Sequence, residues 1–512
     1  MKNFKRMMSL ALALIMVVAL VACGGDGGKT NKEVKDTVNL SLTTAIDTTD
    51  PMANTKDQNM QTFQWVYESL IFADGDANIT PALAESWEVK NDGKDYVFKI
   101  RQGVKFHSGN AMTMEDVVFS MQRNCEMSFM KNYNSAIASV EQTGDWELTI
   151  HLKAANNGFL YNLFNLKVVE KAIVEKEGEN FGNSATLAGT GPYFYKSYDP
   201  NTLIVFEKFA DYWNKDKVGN IKTINAHVIT NATTRVTAFQ TGELDFIPVP
   251  TASWEQIKSS GKYQTLQAEG TNVCTVIVTW YNEGTPLHDK RVRQALRYAI
   301  DTENLIKAAA SGLGTKADVI CNPTYVAGST LDDQLKNSFP YDLEKAKALL
   351  KEAGYPNGVD VGLFLIPNKN DNEKVSQVLK SMWEKAGITC TLELAESSTA
   401  STRSKTGEQA LYITVSNYVH HMSNQKRAIH SSTIKTQVAK YNSPELDSYL
   451  DNAETALTDK ERDEWYMKAN KFMDDFAVNI PLYYQDKVYA WDKALDAPIS
   501  TYYLYVQDWN WT

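Results

Sequence analysis

The sequence predicts a mixed α/β protein built from more than one lobe. Strand patterns (alternating apolar residues) and helix patterns (apolar residues every three to four positions between caps) are interspersed along the chain. That is the signature of mixed α/β layers rather than of a bundle or a sandwich. The chain has 512 residues, 43% hydrophobic and 22% charged. This suffices for several cores and is not the composition of a disordered or fibrous chain. No segment recurs with a period of roughly 20–50 residues, and after about residue 31 no Pro-, Ser- or charge-rich linker appears. Lobes in such a chain are joined by short crossovers, an arrangement that suits a ligand cleft between them.

At the N-terminus, Lys2, Lys5 and Arg6 precede an apolar run from Met7 to Ala22. The run is short and is followed directly by small residues, so residues 1–22 read as a signal peptide rather than a membrane span. It ends Leu20-Val21-Ala22-Cys23, followed by Gly24-Gly25-Asp26-Gly27-Gly28. This resembles a bacterial lipoprotein box, which implies that Cys23 becomes the first mature residue and carries a lipid through its nucleophilic thiol. Several acyl chains together give the stable anchoring that one chain does not. The alternative is a soluble exported protein with a chance cysteine. Residues 23–34 form a flexible tether. A net charge of −10 argues against nucleic acid or an anionic membrane face as a partner held by bulk charge. The other cysteines, Cys125, Cys274, Cys321 and Cys390, permit three full disulfide connectivities and favour none. Cys274 and Cys390 lie in apolar, β-branched runs that suit buried free thiols equally well.

Further along, Tyr96, Phe98 and Ile100 alternate on one face of a half-buried strand. Thr113 and Asp116 form a capping box that opens a helix over Val117–Arg123. Val273–Val278 and Ala410–Val415 are apolar strands. Asp289 caps a helix with Val292, Ala295, Leu296, Ala299 and Ile300 inward and Arg291, Arg293 and Arg297 on the solvated side. Asp342 caps another, with Ala346, Leu349, Leu350 and Ala353 inward, Gly354 at its end and Pro356 beyond. Trp383 and Trp465, on helical patterns, belong to the core.

No catalytic constellation emerges. HExxH, GxSxG, GxxxxGK[ST] and CxxC are all missing from the sequence, and Gly312-Leu313-Gly314 follows a helical stretch rather than the strand a dinucleotide loop requires. Of the seven histidines, His107, His151, His227 and His288 are isolated. His420, His421 and His430 cluster and are weak candidates for a metal or anion site, with a solvated loop as the alternative. Asp474-Asp475 reads as part of a solvated helix face. No cofactor is expected.

Read together, several motifs carry a family resemblance. Pro81-Ala82-Leu83-Ala84-Glu85-Ser86-Trp87 precedes Tyr96-Val97-Phe98-Lys99-Ile100-Arg101-Gln102-Gly103-Val104-Lys105-Phe106-His107-Ser108-Gly109 and Thr113-Met114-Glu115-Asp116-Val117-Val118-Phe119-Ser120. This block closely resembles the signature of family 5 extracellular solute-binding proteins, the peptide/nickel receptors of ABC importers. Asp50-Pro51, Val66-Tyr67-Glu68-Ser69-Leu70, Gly189-Thr190-Gly191-Pro192-Tyr193, Asp211-Tyr212-Trp213, Gly242-Glu243-Leu244-Asp245 and Arg291-Val292-Arg293-Gln294-Ala295 agree in the family's order. The block itself is mostly structural, with Trp87, Phe98 and Phe106 as core and Gly103 and Gly109 as turns.

The resemblance implies an α/β, two-lobed, periplasmic-binding-protein-like (type II) fold with an extra subdomain in the first lobe. Residues 35–78, 187–272 and 484–512 would build lobe I, 79–186 the extra subdomain, and 273–483 lobe II. It also implies a non-enzyme, a lipid-anchored, monomeric receptor on the outer face of a bacterial cell membrane that passes a small, peptide-like solute to an ABC permease. A sensory or adhesion receptor and an exported hydrolase are the rival classes. By family position the ligand candidates are Thr44 and Asp47 after the first strand, Trp280 and Tyr281 after the strand Val273–Val278, and Asn417, Tyr418, His420 and His421 after Ala410–Val415. Phe159 and Tyr161 would add an aromatic wall. Peptide-binding relatives commonly carry an Asp in the 416–421 region to pair with the ligand's amine. Residues 416–427 contain no carboxylate here, so free-amine dipeptides are not the expected ligand unless an acid such as Asp47 arrives from elsewhere. An amine-blocked peptide, an oligosaccharide or an anionic metal chelate would otherwise fit better.

Overall fold

A computed structural model describes residues 35–74, 78–369, 371–417, 420–500 and 503–512. The signal-peptide, tether and Cys23 assignments, and Tyr418, lie outside these residues. Residues 36–512 form one compact unit. Among the described residues no helix is long and apolar enough to cross a membrane.

The local patterns become elements for the expected reasons. In the strand Asp95–Ile100, Tyr96, Phe98 and Ile100 are buried. The helix Met114–Glu126 opens on a capping box between Thr113 and Asp116. Asp289 and Asp342 cap Lys290–Tyr298 and Leu343–Glu352 by accepting from the backbone N–H of Arg291 and Lys345. Gly354 follows with a φ of 96°, the left-handed conformation that ends a helix at low steric cost.

These elements assemble into three principal sheets. A seven-stranded sheet runs in the order Gln264–Ala268, Lys487–Trp491, Phe246–Pro248, Thr37–Leu42, Thr223–Val228, Leu203–Lys208, Tyr193–Tyr198. A six-stranded sheet runs Gly314–Lys316, Asn479–Gln485, Asn272–Val278, Leu411–Asn417, Val359–Pro367, Ile388–Ala395. The third is antiparallel, Ala84–Lys90, Asp95–Ile100, Glu147–Leu152, Ile137–Gly144. The seven- and four-stranded sheets share one core, which includes Phe63, Trp65, Phe98 and Phe206. The six-stranded sheet has its own, with Val276, Leu296, Phe364 and Trp383. Two lobes with separate cores are therefore present, as the type II fold requires.

The chain crosses between the seven- and six-stranded sheets at 269–271 and again at Asp486. These two crossovers touch: a Cβ on Gly270 would run into the carbonyl oxygen of Gln485. Only glycine allows the two segments to lie this close.

Three sequence expectations need correction. Arg293 and Arg297 are not solvated, being 2% and 6% exposed. Arg293 donates to the carbonyls of Leu287, His288 and Phe476, and Arg297 pairs with Asp474 at 2.5 Å while lying over Phe339. Their guanidinium groups tie the helix to Phe476 and its neighbours, a use of charge that helical periodicity does not reveal. Asp474 is accordingly an internal partner, whereas Asp475 remains exposed. Trp465 is only partly buried, while Trp383 is fully so. The cysteines at 125, 274, 321 and 390 are all free, and the last three are buried.

Candidate functional site

Where the two lobes meet at the crossovers, a cavity of about 340 Å³ is lined from both sides. Ser41, Leu42 and Thr43 enter it from the end of the first strand, and Asp57 and Gln61 from the helix Asp57–Val66. Thr271, Asn272, Asp486 and Lys487 come from the crossovers, and Asn417 ends a strand of the six-stranded sheet. Strand ends supply most of this wall because there the backbone leaves the ladder and its polar groups face the gap.

Three charged side chains line this cavity: Asp486 and Lys487 from the crossover, and Asp57 from the helix. Asp486 accepts from Gln267 Nε2 at 2.6 Å through one carboxylate oxygen, while the other is buried without a partner. Burial raises its pKa above the ordinary carboxylate value, and Glu269 nearby adds to the shift. Lys487 is shifted the opposite way by burial, with Asp57 opposing the change. The cavity thus presents both signs of charge in a poorly solvated setting.

The residues singled out from the sequence fall in several places. Asn417 lines the cavity and accepts from Thr271 Oγ1 at 2.8 Å. Thr44 is exposed beside the lining residue Thr43. Asp47 is held by Lys56 and by Asn54 Nδ2 and does not reach the cavity. Phe159 is fully buried against Tyr96, with ring centroids 4.7 Å apart, and offers a solute no surface. Trp280 donates to the carbonyl of Ala439 at 2.7 Å and packs edge-on to Phe476. Tyr281 lies against Gly407 and Lys440. The backbone of His420 pairs with Val326.

His421 and Tyr161 come together at a second meeting of the lobes. The rings stack with centroids 4.9 Å apart and 23° between planes. Beside them, Asn156 Nδ2 donates to Glu454 Oε1 at 3.0 Å, the Asn157 N–H to the Glu454 carbonyl at 2.9 Å, and Asn157 Nδ2 to the carbonyls of Ala453 and Ala456. These contacts clasp the segment 156–161, which follows the four-stranded sheet, to the lobe of the six-stranded sheet. His421 is 1% exposed, and its Nδ1 lies 2.9 Å from Ser423 Oγ. Burial pushes its pKa down to about 3, and Arg462 adds to the shift. His430 faces Ser432, Asp447 and Asp451. Among the described residues no group of three or more His, Cys, Asp or Glu side chains is placed to hold a metal ion. His107 is buried with Nε2 2.9 Å from the Gly191 carbonyl, and burial lowers its pKa to about 4.

Sequence reasoning missed Asp486, Lys487 and Thr271. The available signal was the interruption of two apolar strands at Gly270 and Asp486, but which interruptions lie together is a tertiary fact.

Known proteins resemble the chain in sequence and fold. The family model for bacterial extracellular solute-binding proteins, family 5 Middle, matches residues 78–431. The chain is 30% identical over 459 residues to heme-binding protein A of Haemophilus influenzae, covering 82% of this chain and 81% of that protein. It is 29% identical over 374 residues to the dipeptide-binding protein of Escherichia coli, covering 67% and 68%. Among solved structures, HbpA2 from Haemophilus parasuis superposes with a TM-score of 0.82 at 24% identity, covering 93% of this chain and all of that one. NikA from Brucella suis in complex with Fe(III)-EDTA gives 0.83 at 19% identity, again covering 93% and 100%.

Proposed function

We propose that this chain, which belongs to family 5 of the bacterial extracellular solute-binding proteins, is the receptor of an ABC importer and takes its solute in the cavity at the crossovers. One observation carries the reading: that cavity is walled by both lobes, and the lobes are joined beside it only through two short, touching segments among the described residues. A solute there contacts both lobes only when they are closed, so it shifts the balance toward closure by its differential contact. Binding and release require no chemical step.

The solute is peptide-like, with a free ammonium group directed at Asp486. The acid that residues 416–427 lack is supplied by the crossover rather than by Asp47. A buried carboxylate oxygen without a partner is costly, and an ammonium offsets that cost while fixing the solute's polarity. Calorimetry of the mature chain against short peptides, their N-acetylated forms, a sugar panel and nickel–histidine chelates tests this. Free-amine peptides should bind, and Asp486→Asn should weaken them at least tenfold while leaving acetylated forms unaffected. Preference for sugars or chelates, or indifference to Asp486→Asn, contradicts the assignment.

The receptor works at the outer face of the cell membrane, anchored through Cys23, which holds it near the permease at high effective concentration. Fatty-acid labelling should mark the wild-type protein and not Cys23→Ser. A labelled mutant refutes the anchor.

A further inference from the structure

A second cavity, of about 510 Å³, opens beside the same strand end: Ser416 lines it, and the adjacent Asn417 lines the first. Its floor is the face of the six-stranded sheet opposite the core of Val276 and Ile413. Thr275 and Thr414 are register partners on that floor, as are Ile277 and Tyr412. Residues two apart on a strand share a face, so a stripe of hydroxyls runs toward Ser416. Gln425, Ile429 and Val438 also line the cavity, and Asn132 enters from the region of the four-stranded sheet.

The polar atoms left unpaired in this cavity distinguish it. Gln425 is fully buried, yet neither its amide oxygen nor its amide nitrogen has a hydrogen-bonding partner. The Cys321 thiol lies beside that amide without completing a hydrogen bond of ordinary geometry. Thr275 Oγ1, on a residue 5% exposed, and Asn479 Oδ1 are likewise unpaired. Buried polar groups in folded proteins are nearly always paired, so several orphans around one cavity call for a ligand or water. Lys405, an exposed residue, is the one charged group among the described residues lining the cavity. A carboxylate there would lack a buried cation, and an ammonium would lack a buried acid.

We propose that this cavity is the subsite that reads an uncharged amide of the solute, with Gln425 giving one hydrogen bond to it and accepting one from it. An amide matches because it presents a donor and an acceptor side by side, as Gln425 does. Selectivity follows because an isostere lacking those groups leaves the buried amide unpaired again. This inference rests on the peptide-like reading above.

Three tripeptides test it on the mature chain by calorimetry: Ala-Gln-Ala, Ala-Glu-Ala and Ala-Met-Ala. The wild type should bind the Gln peptide at least tenfold more tightly than the other two. Gln425→Met should abolish that preference while retaining the Met peptide. Thr275→Val, which keeps its shape on the sheet, should reduce the preference and serves as the test should Gln425→Met not fold. Binding of all three peptides with equal affinity, or an undiminished preference in both variants, overturns the subsite alone. Failure of the wild type to bind any of them overturns the peptide-like reading and this subsite together.

Discussion

The clasp between Tyr161, Asn157 and the opposite lobe gives a quantitative handle on closure. The double variant Asn157→Ala/Tyr161→Ala removes the hydrogen bonds from Asn157 Nδ2 to the carbonyls of Ala453 and Ala456 and the stack on His421. A neutral hydrogen bond contributes about 0.5–1.5 kcal/mol net, and a stacked ring pair about 0.5–1.5 kcal/mol beyond its area. The two bonds and the stack together stabilise the closed state by about 3 kcal/mol, which corresponds to a roughly 150-fold loss of solute affinity. On the proposed mechanism these contacts form only on closure, so the melting temperature of the free receptor should change little. Tyr161→Phe, which keeps the ring, should bind nearly as the wild type does. Calorimetry and thermal denaturation on the three proteins decide the matter. Unchanged affinity in the double variant, or a fall in free-receptor stability matching the affinity loss, would refute the reasoning.

Acid should weaken solute binding through His421. This imidazole is held neutral with a pKa of about 3, amid Tyr161, Tyr466, Ser423 and Arg462; in the proposed open form it should move back toward its ordinary value near 6.5. Opening then takes up a proton between those values, so affinity is full above about pH 6.5 and falls as pH drops, by up to about 30-fold at pH 5. A pH titration of affinity in which His421→Gln shows the same slope as the wild type contradicts this. At the crossovers, Gly270→Ala forces a methyl against the Gln485 carbonyl and should cost about 1–3 kcal/mol of stability. An unchanged melting temperature would show that the two segments separate freely.

Local rules were legible where the chain obeys them alone. The Tyr96–Phe98–Ile100 alternation, the Thr113 box and the Asp289 and Asp342 caps follow from neighbours a few residues apart, and each was readable. Arg293 and Arg297 were misread because their partners, Phe476 and Asp474, lie far along the chain. Phe159 illustrates a further limit, since an aromatic residue looks the same in sequence whether it meets Tyr96 in the core or a solute in a cleft. The family motifs identified the type of fold because they mark turns and core. They said little about the solute, because two of the charged groups at the cavity are Asp486 and Lys487, whose only local mark is a break between strands. Gln425 is quieter still: a buried amide becomes informative only when its partners are seen to be missing.

Small-angle scattering of the mature receptor, free and saturated with a solute identified by calorimetry, tests closure most directly. The account predicts a smaller radius of gyration for the loaded form, with the Asn157→Ala/Tyr161→Ala variant needing more solute to reach it. Equal radii for the free and fully saturated wild-type receptor would contradict capture by lobe closure.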